Sequence, residues 1–273
     1  MKKILSLGEI KSIELEILKN FRSICKELDL RYYLSGGTLL GSIRHQGFIP
    51  WDDDIDLAMP RNDYNKLIEY SKSYRNDTYK FIFTNASGDL LPYAKFFNIK
   101  THIYAKYVED EMQRHLWLDI MPMDGLPGDK NNEEVQLIYK KAEYYRKIIG
   151  LCSAKLGKGK STFKKISKYV LKPIAQIYGK NRATRKLNKL AMTYDYDKTE
   201  YVGAITWGLY GASESMLKSD IGEGVEVIFE DETFKSFACW DSYLKNLYKD
   251  YMQLPPVEQR INHEMIAWIE IDE

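Results

Sequence analysis

The sequence predicts an α+β fold, a mixed sheet flanked by helices, with a basic helical insertion. Three observations carry that expectation. Apolar residues recur at helical spacing over residues 9–29 and 62–74; short β-rich runs lie between and after them; and from about residue 131 to 194 the pattern turns helical and basic. At 273 residues, 44% hydrophobic and 13% aromatic, the chain has ample material for a folded core. The expected organisation is a core over 1–130, the basic helical insertion over 131–198, and a C-terminal part, 199–273, that completes the core.

The elements follow in order. Ile10, Ile13, Ile17, Leu18, Phe21, Ile24, Cys25 and Leu28 define one face of an amphipathic first helix. Tyr32-Tyr33-Leu34 reads as a short strand, ended by the Gly36-Gly37 turn, after which Thr38 is placed to cap a helix running to Ile43. Asp54 to Met59 is a strand stopped by Pro60, and Asn62 to Tyr74 a helix. Tyr79–Thr84 and Tyr93–Phe97 read as strands around the turn Ala86-Ser87-Gly88-Asp89. Trp117 to Met121 is a short apolar strand ended by Pro122 and the Asp124–Gly128 turn. The helical middle is expected to break at Gly157–Lys160 and at Pro173. A β-rich stretch from Tyr201 to Phe237 and a helix around Asp241–Met252, broken by Leu254-Pro255-Pro256, complete the chain.

The net charge of +1 conceals a strong asymmetry. Between Lys140 and Lys189 sixteen Lys or Arg residues face Glu143 alone, so the remainder of the chain is acidic. Met1-Lys2-Lys3-Ile4-Leu5 mimics the start of a secretion signal, but Gly8, Glu9 and Lys11 interrupt the apolar stretch, and no run is long enough to span a bilayer. Cys25, Cys152 and Cys239 are widely separated, which gives neither a disulfide framework nor zinc spacing; a reducing cytoplasm is the expected setting.

The chemistry-bearing pattern lies in Leu34-Ser35-Gly36-Gly37-Thr38 and Trp51-Asp52-Asp53-Asp54-Ile55-Asp56-Leu57. Asp54 and Asp56, two apart on a strand, project from one face, and a divalent cation between them would relieve their repulsion. Asp119, flanked by Trp117, Leu118, Ile120 and Met121, is costly to bury without a cation or a hydrogen-bond network. An Asp-x-Asp alone is often a surface turn, and a Gly-Gly alone is often only a turn. The order is what carries weight: glycine turn, acid pair, lone buried acid. A nucleotidyltransferase-type fold uses such an apparatus, with one or two Mg²⁺ (or Mn²⁺) ions clamping a diphosphate and Asp119 orienting or deprotonating an attacking hydroxyl.

The run from Tyr33 through Gly36-Gly37-Thr38, Arg44-His45, Trp51-Asp52-Asp53-Asp54-Ile55-Asp56 to Pro60-Arg61 closely resembles the signature of the LicD family, phosphotransferases related to fukutin and fukutin-related protein. The resemblance continues through Pro92-Tyr93-Ala94-Lys95, Leu118-Asp119-Ile120-Met121-Pro122, Phe229-Glu230 and Tyr248 to Pro256, with Arg260 and His263. It covers both ends of the chain and leaves the basic middle unmatched. It departs at Glu264, where the family often has a second histidine.

The resemblance implies a nucleotidyltransferase-like fold that moves a phospho-alcohol from a CDP-linked donor to a hydroxyl of a cell-surface glycan. Phosphocholine from CDP-choline is the leading expectation, with lipopolysaccharide, teichoic acid or capsule as acceptor; ribitol or glycerol phosphate from a CDP-polyol is the alternative. Asp54, Asp56 and Asp119 would bind metal and carry catalysis. Gly36, Gly37 and Thr38 would cradle the diphosphate, and Arg44, Lys95 and Arg61 would pair with phosphate oxygens. Arg260 belongs to the same substrate-binding set. His45 and His263 are candidates for substrate contact, although a lone His is more often structural. Asp52 and Asp53 would orient Arg44 or metal-bound water. Trp51 is a candidate wall for a quaternary ammonium, against the plainer reading of core packing.

The basic segment, residues 140–190, has three readings: contact with an anionic membrane leaflet bearing lipid-linked acceptors, a grip on a phosphate-bearing glycan, or a merely solvated helical pair. The corresponding location is the bacterial cytoplasm, peripheral to the inner face of the plasma membrane. Nucleic acid is not expected as a partner, since three carboxylates at the site would repel a phosphate backbone. A scaffold that retains the fold without catalysis is disfavoured by the intact acids.

Overall fold

The computed structural model describes residues 1–84, 90–104, 114–152, 162–260 and 265–271. In chain order these form β1 (Lys2–Ile4), α1 (Leu7–Glu27), β2 (Tyr33–Leu34), α2 (Gly36–His45), β3 (Ile55–Pro60), α3 (Arg61–Ser73), β4 (Tyr79–Thr84) and β5 (Leu90–Asn98). There follow β6 (Thr101–Tyr104), β7 (Leu116–Leu126), α4 (Glu133–Cys152), α5 (Thr162–Tyr178), α6 (Lys180–Ala191), β8 (Tyr201–Gly203) and β9 (Met216–Leu217). The described chain closes with α7 (Lys218–Ile221), β10 (Val225–Phe229), β11 (Glu232–Ser236), α8 (Trp240–Tyr248) and β12 (Ile266–Glu270).

The main sheet runs β2-β3-β7-β5-β4, with β8 and β9 continuing from the far end of β7. Among the described residues only β3 and β7 pair in parallel; the other pairings are antiparallel, so the sheet is mixed and the fold α+β. α1 starts with a reciprocal cap: Ser6 Oγ accepts from Glu9 N–H, and Glu9 Oε2 accepts from Ser6 N–H. Its apolar side buries Ile17, Leu18 and Phe21 in the core cluster that also holds Leu34, Ile55, Leu57, Phe96 and Leu118, with Phe21 against Phe96. Each of these fully buried side chains contributes about 1.5–3 kcal/mol.

The helical middle has smaller apolar clusters of its own. Leu126 at the end of β7 meets Val135, Ile138, Tyr139 and Leu187, while Ile148, Ala175 and Ala183 join α4, α5 and α6. β10 and β11 form a separate hairpin, and β1, β12 and β6 form a small sheet that ties the two ends of the chain together.

Several local expectations need correction. The second helix begins at Gly36 with Ser35 as its N-cap, so Thr38 lies in the first turn and is not the cap. The strand around Asp119 does not stop at Pro122 but extends to Leu126. Pro122 falls between the end of pairing with β5, at Ile120, and the start of pairing with β8, at Asp124, so neither of those antiparallel partners calls on its missing N–H. Pro60 is the last residue of its strand. Pro173 does not break α5, which runs through it from Thr162 to Tyr178, and both Pro173 and Tyr169 one turn earlier are exposed. The expected turn at residues 86–89 and the break at 157–160 lie outside the described residues.

Candidate active site

The site is built on three neighbouring strands. In the parallel β3–β7 pair Asp56 stands opposite Asp119, and across β7 Asp119 stands opposite Lys95 of β5. Cross-strand partners share a face of the sheet, so acid, acid and lysine form one row. Lys95 Nζ lies 2.7 Å from Asp119 Oδ1, and its ammonium sits 4.4 Å from the centroid of the Trp117 ring. The ion contact is not an aligned hydrogen bond, and Asp119 Oδ1 is a buried oxygen without a hydrogen-bond partner.

Asp54 immediately precedes β3. Burial first, then the Asp54, Asp119 and Asp52 carboxylates, hold Asp56 well above the ordinary aspartate range, while Lys95 pulls the other way. Tyr93, also on β5, faces the same acids: burial, Asp119, Asp56 and Asp54 all push its phenol up. Acids and lysine thus crowd one half-enclosed spot that stores electrostatic repulsion, which a cation would relieve.

The glycine turn closes one side of this spot. Gly36 has a φ of 52°, and a Cβ there would lie 3.1 Å from Asp56 Oδ2; a Cβ on Gly37 would lie 3.1 Å from Asp52 Oδ2. The two glycines therefore keep open the space in front of the carboxylates. Asp56 N–H donates to Thr38 Oγ1 at 2.8 Å, which fixes β3 against the first turn of α2. Gly36 N–H donates to the Tyr243 hydroxyl at 3.3 Å. The amides of Gly37 and Thr38, in the first turn, have no acceptor one turn back within the helix, which makes them candidate donors to an anion.

Arg44, His45, Trp51 and Arg260 form a second group. Arg44 Nη1 donates to the Tyr251 carbonyl at 2.7 Å, and its Nε donates to His45 Nε2 at 3.0 Å. The Arg260 guanidinium covers the Trp51 ring at 4.8 Å, and the His45 ring meets the same tryptophan edge-on at 6.4 Å. Arg260 Nε also donates to the Pro255 carbonyl at 3.0 Å. Burial, and then Arg44 and Lys11, lower the His45 pKa, which favours the neutral ring. The C-terminal segment is thereby fastened to the end of α2 and to Trp51, and Trp51 already carries a cation on its face. His263 lies outside the described residues.

Arg61 is engaged by a different acid. It makes a two-pronged ion pair with Asp124, Nε at 2.6 Å and Nη2 at 2.9 Å, and both residues are buried. Two of its donors are committed to the fold.

Among the described residues no group of three or more His, Cys, Asp and Glu side chains is drawn together in a form that holds a metal ion by itself. The donor set still fits a magnesium-type ion, which is commonly bound through one or two carboxylates plus substrate phosphates. Asp56 and Asp119 supply hard oxygens side by side, and the space in front of them is kept clear by glycine.

The sequence reading gave no role to two residues at this site. Tyr243, on α8, holds Gly36 from a position more than 200 residues away, and nothing in the sequence marks it beyond its place on an apolar helix face. Glu14, fully buried on α1, has both carboxylate oxygens unpartnered; burial, then Asp54, Asp53 and Asp52, hold it well above the usual range. An acid on the apolar side of an amphipathic helix was the available signal.

Fold and site together define an α+β protein with paired acids beside a glycine turn. A family model described as LicD/FKTN/FKRP, nucleotidyltransferase domain, matches residues 29–149. The chain is 31% identical over 278 residues to the lipopolysaccharide cholinephosphotransferase LicD of Haemophilus influenzae, an alignment covering 98% of this chain and all of that protein. It is 53% identical over 34 residues to the mouse ribitol 5-phosphate transferase FKRP, covering 12% of this chain and 7% of that one. The chain belongs to the LicD family.

Proposed function

We propose that this protein transfers phosphocholine from CDP-choline to a hydroxyl of a cell-surface glycan and releases CMP. The observation that carries the reading is the register pairing of Asp56 with Asp119 behind the glycine turn, in a chain that aligns over its full length with a cholinephosphotransferase. The donor diphosphate would lie against the Gly37 and Thr38 amides at the start of α2. Asp56 and Asp119, with Asp54 beside them, would hold Mg²⁺ or Mn²⁺. When bound, such an ion supplies charge neutralisation at the diphosphate and polarises the phosphorus under attack.

Asp119 would take the proton of the acceptor hydroxyl as its oxygen bonds to the distal phosphorus and the bond to the CMP oxygen breaks. Lys95, beside Asp119, would stabilise the charge that develops on the transferred phosphate. Arg44 and Arg260 would attract the donor's charge through the field around Trp51.

Polyol phosphate is the second reading, favoured by the short, dense match to a ribitol 5-phosphate transferase. Incubation with Mg²⁺, a glycan acceptor and each of CDP-choline, CDP-ribitol and CDP-glycerol, followed by measurement of CMP, separates the two. CMP from CDP-choline alone supports the first; CMP from a polyol donor alone replaces it; no CMP from any donor overturns both.

A further inference from the structure

We propose that the α5–α6 hairpin is a docking surface that lies on an anionic lipid bilayer. The inference does not depend on the reaction proposed above. It stands on two exposed stripes, one on each of two consecutive helices that meet through Ala175 and Ala183.

The first stripe is apolar and faces water. On α5, Val170, Ile174 and Ile177 fall on one narrow helical face and are 61%, 59% and 87% exposed. The inward contact of this part of the helix is made instead by Ala175, which packs with Ile148 and Ala183. Helices normally bury such a face; this one turns it outward and packs inward through alanine.

The second stripe is cationic. On α6, Arg182, Arg185, Lys186 and Lys189 recur at three- and four-residue spacing on one exposed face, while Ala183, Leu187 and Ala191 are buried on the other. From residue 144 to 194 the chain has fourteen Lys or Arg and no Asp or Glu at all. Among the described residues no acid pairs with the side chains of Arg185, Lys186 or Lys189. Arg185 and Lys189 also line, with Asn188, Leu190, Met192 and Thr193, an open hollow of about 650 Å³, roomy enough for a phosphate headgroup.

An apolar stripe beside a basic one matches the interface of a bilayer whose headgroups are anionic: the aliphatic side chains enter the acyl boundary and the cations stay at headgroup level. No helix among the described residues is long and apolar enough to cross a membrane, so the contact is peripheral. A second copy of the chain fits poorly, because a two-fold contact through this face would set the basic stripe against itself. A phosphorylated glycan accounts for the cations but leaves Val170, Ile174 and Ile177 facing water.

The test is co-sedimentation of the full chain with vesicles of phosphatidylcholine alone or with about 30 mol % phosphatidylglycerol, at about 50 mM and about 500 mM salt. Two variants with exposed substitutions are compared: Ile174→Ser/Ile177→Ser, and Arg185→Gln/Lys186→Gln/Lys189→Gln. The wild type should bind the anionic vesicles and not the neutral ones, and either variant should weaken binding by about tenfold or more. High salt should weaken what remains in the Ser variant more than in the Gln variant, since the Ser variant relies on charge.

Three results overturn the proposal: no binding to anionic vesicles at low salt, binding that neither variant changes, or a concentration-dependent dimer that the Ser variant abolishes while vesicles are ignored. Binding to a soluble phosphorylated glycan that the Gln variant loses while vesicle binding persists also overturns it. All of these are binding measurements, so they stand whether or not CMP is released from any donor.

Discussion

A side chain at position 36 would lie 3.1 Å from Asp56 Oδ2, so the glycine at the start of α2 and the aspartate of β3 are each other's immediate neighbours. The backbone at Gly36 also has positive φ, which an L side chain adopts only with strain. Gly36→Ala should therefore cost about 1 kcal/mol or more of stability and, beyond that, a large part of CMP release. Gly8→Ala is the control, since a Cβ there meets nothing within 4 Å; within α1 it should stabilise the protein by about 0.5–1 kcal/mol and leave turnover unchanged. Equal turnover in the two variants would remove the glycine turn from the site.

Asp56→Asn and Asp119→Asn should each lower CMP release by about 100-fold or more while the protein remains folded. The two effects on stability differ in origin. Burial and the neighbouring acids push the Asp56 carboxyl up, so the neutral amide should melt at the same or a higher temperature than the wild type without metal. Asp119→Asn removes the partner of Lys95 and should melt lower. Turnover near the wild-type level in Asp56→Asn defeats the proposed chemistry.

Arg61→Met leaves Asp124 buried without its two-pronged partner and should cost about 3–5 kcal/mol in urea unfolding. Replacing both partners, Arg61→Met with Asp124→Leu, should recover much of that loss. If Arg61 instead serves the donor phosphate, the single variant will unfold like the wild type and show a raised KM.

Burial raises the Glu214 carboxyl to about 7, against the smaller opposing effects of the Tyr210 N–H and Arg146. Below the ordinary glutamate range both the folded and unfolded chains hold this proton. As pH rises from about 4.5 to about 7 the unfolded chain ionises first, so this residue reduces folding stability by about 3 kcal/mol across that window. Glu14 contributes with the same sign. Unfolding free energies of the wild type and Glu214→Gln at the two ends of the window should differ in slope by that amount; parallel curves would refute the assignment.

The pieces whose cause is local are legible in the amino-acid order alone. Helical period placed α1 and α3, and β-propensity placed β3 and β4. The glycine turn and the Asp119 strand were legible for the same reason: burying an acid, or placing two glycines before a helix, has few explanations within a short window. What the sequence left undetermined depends on chain segments far apart. The register that sets Asp56 against Asp119, the docking of Tyr243 on Gly36, the capture of Arg61 by Asp124 and of Trp51 by Arg260, and the sheet joining β1 to β12 all pair distant residues. Pro122 and Pro173 lie within their elements and do not end them, because a proline is tolerated or disruptive according to whether a neighbour needs its missing N–H, and only the assembled fold decides which neighbour it has.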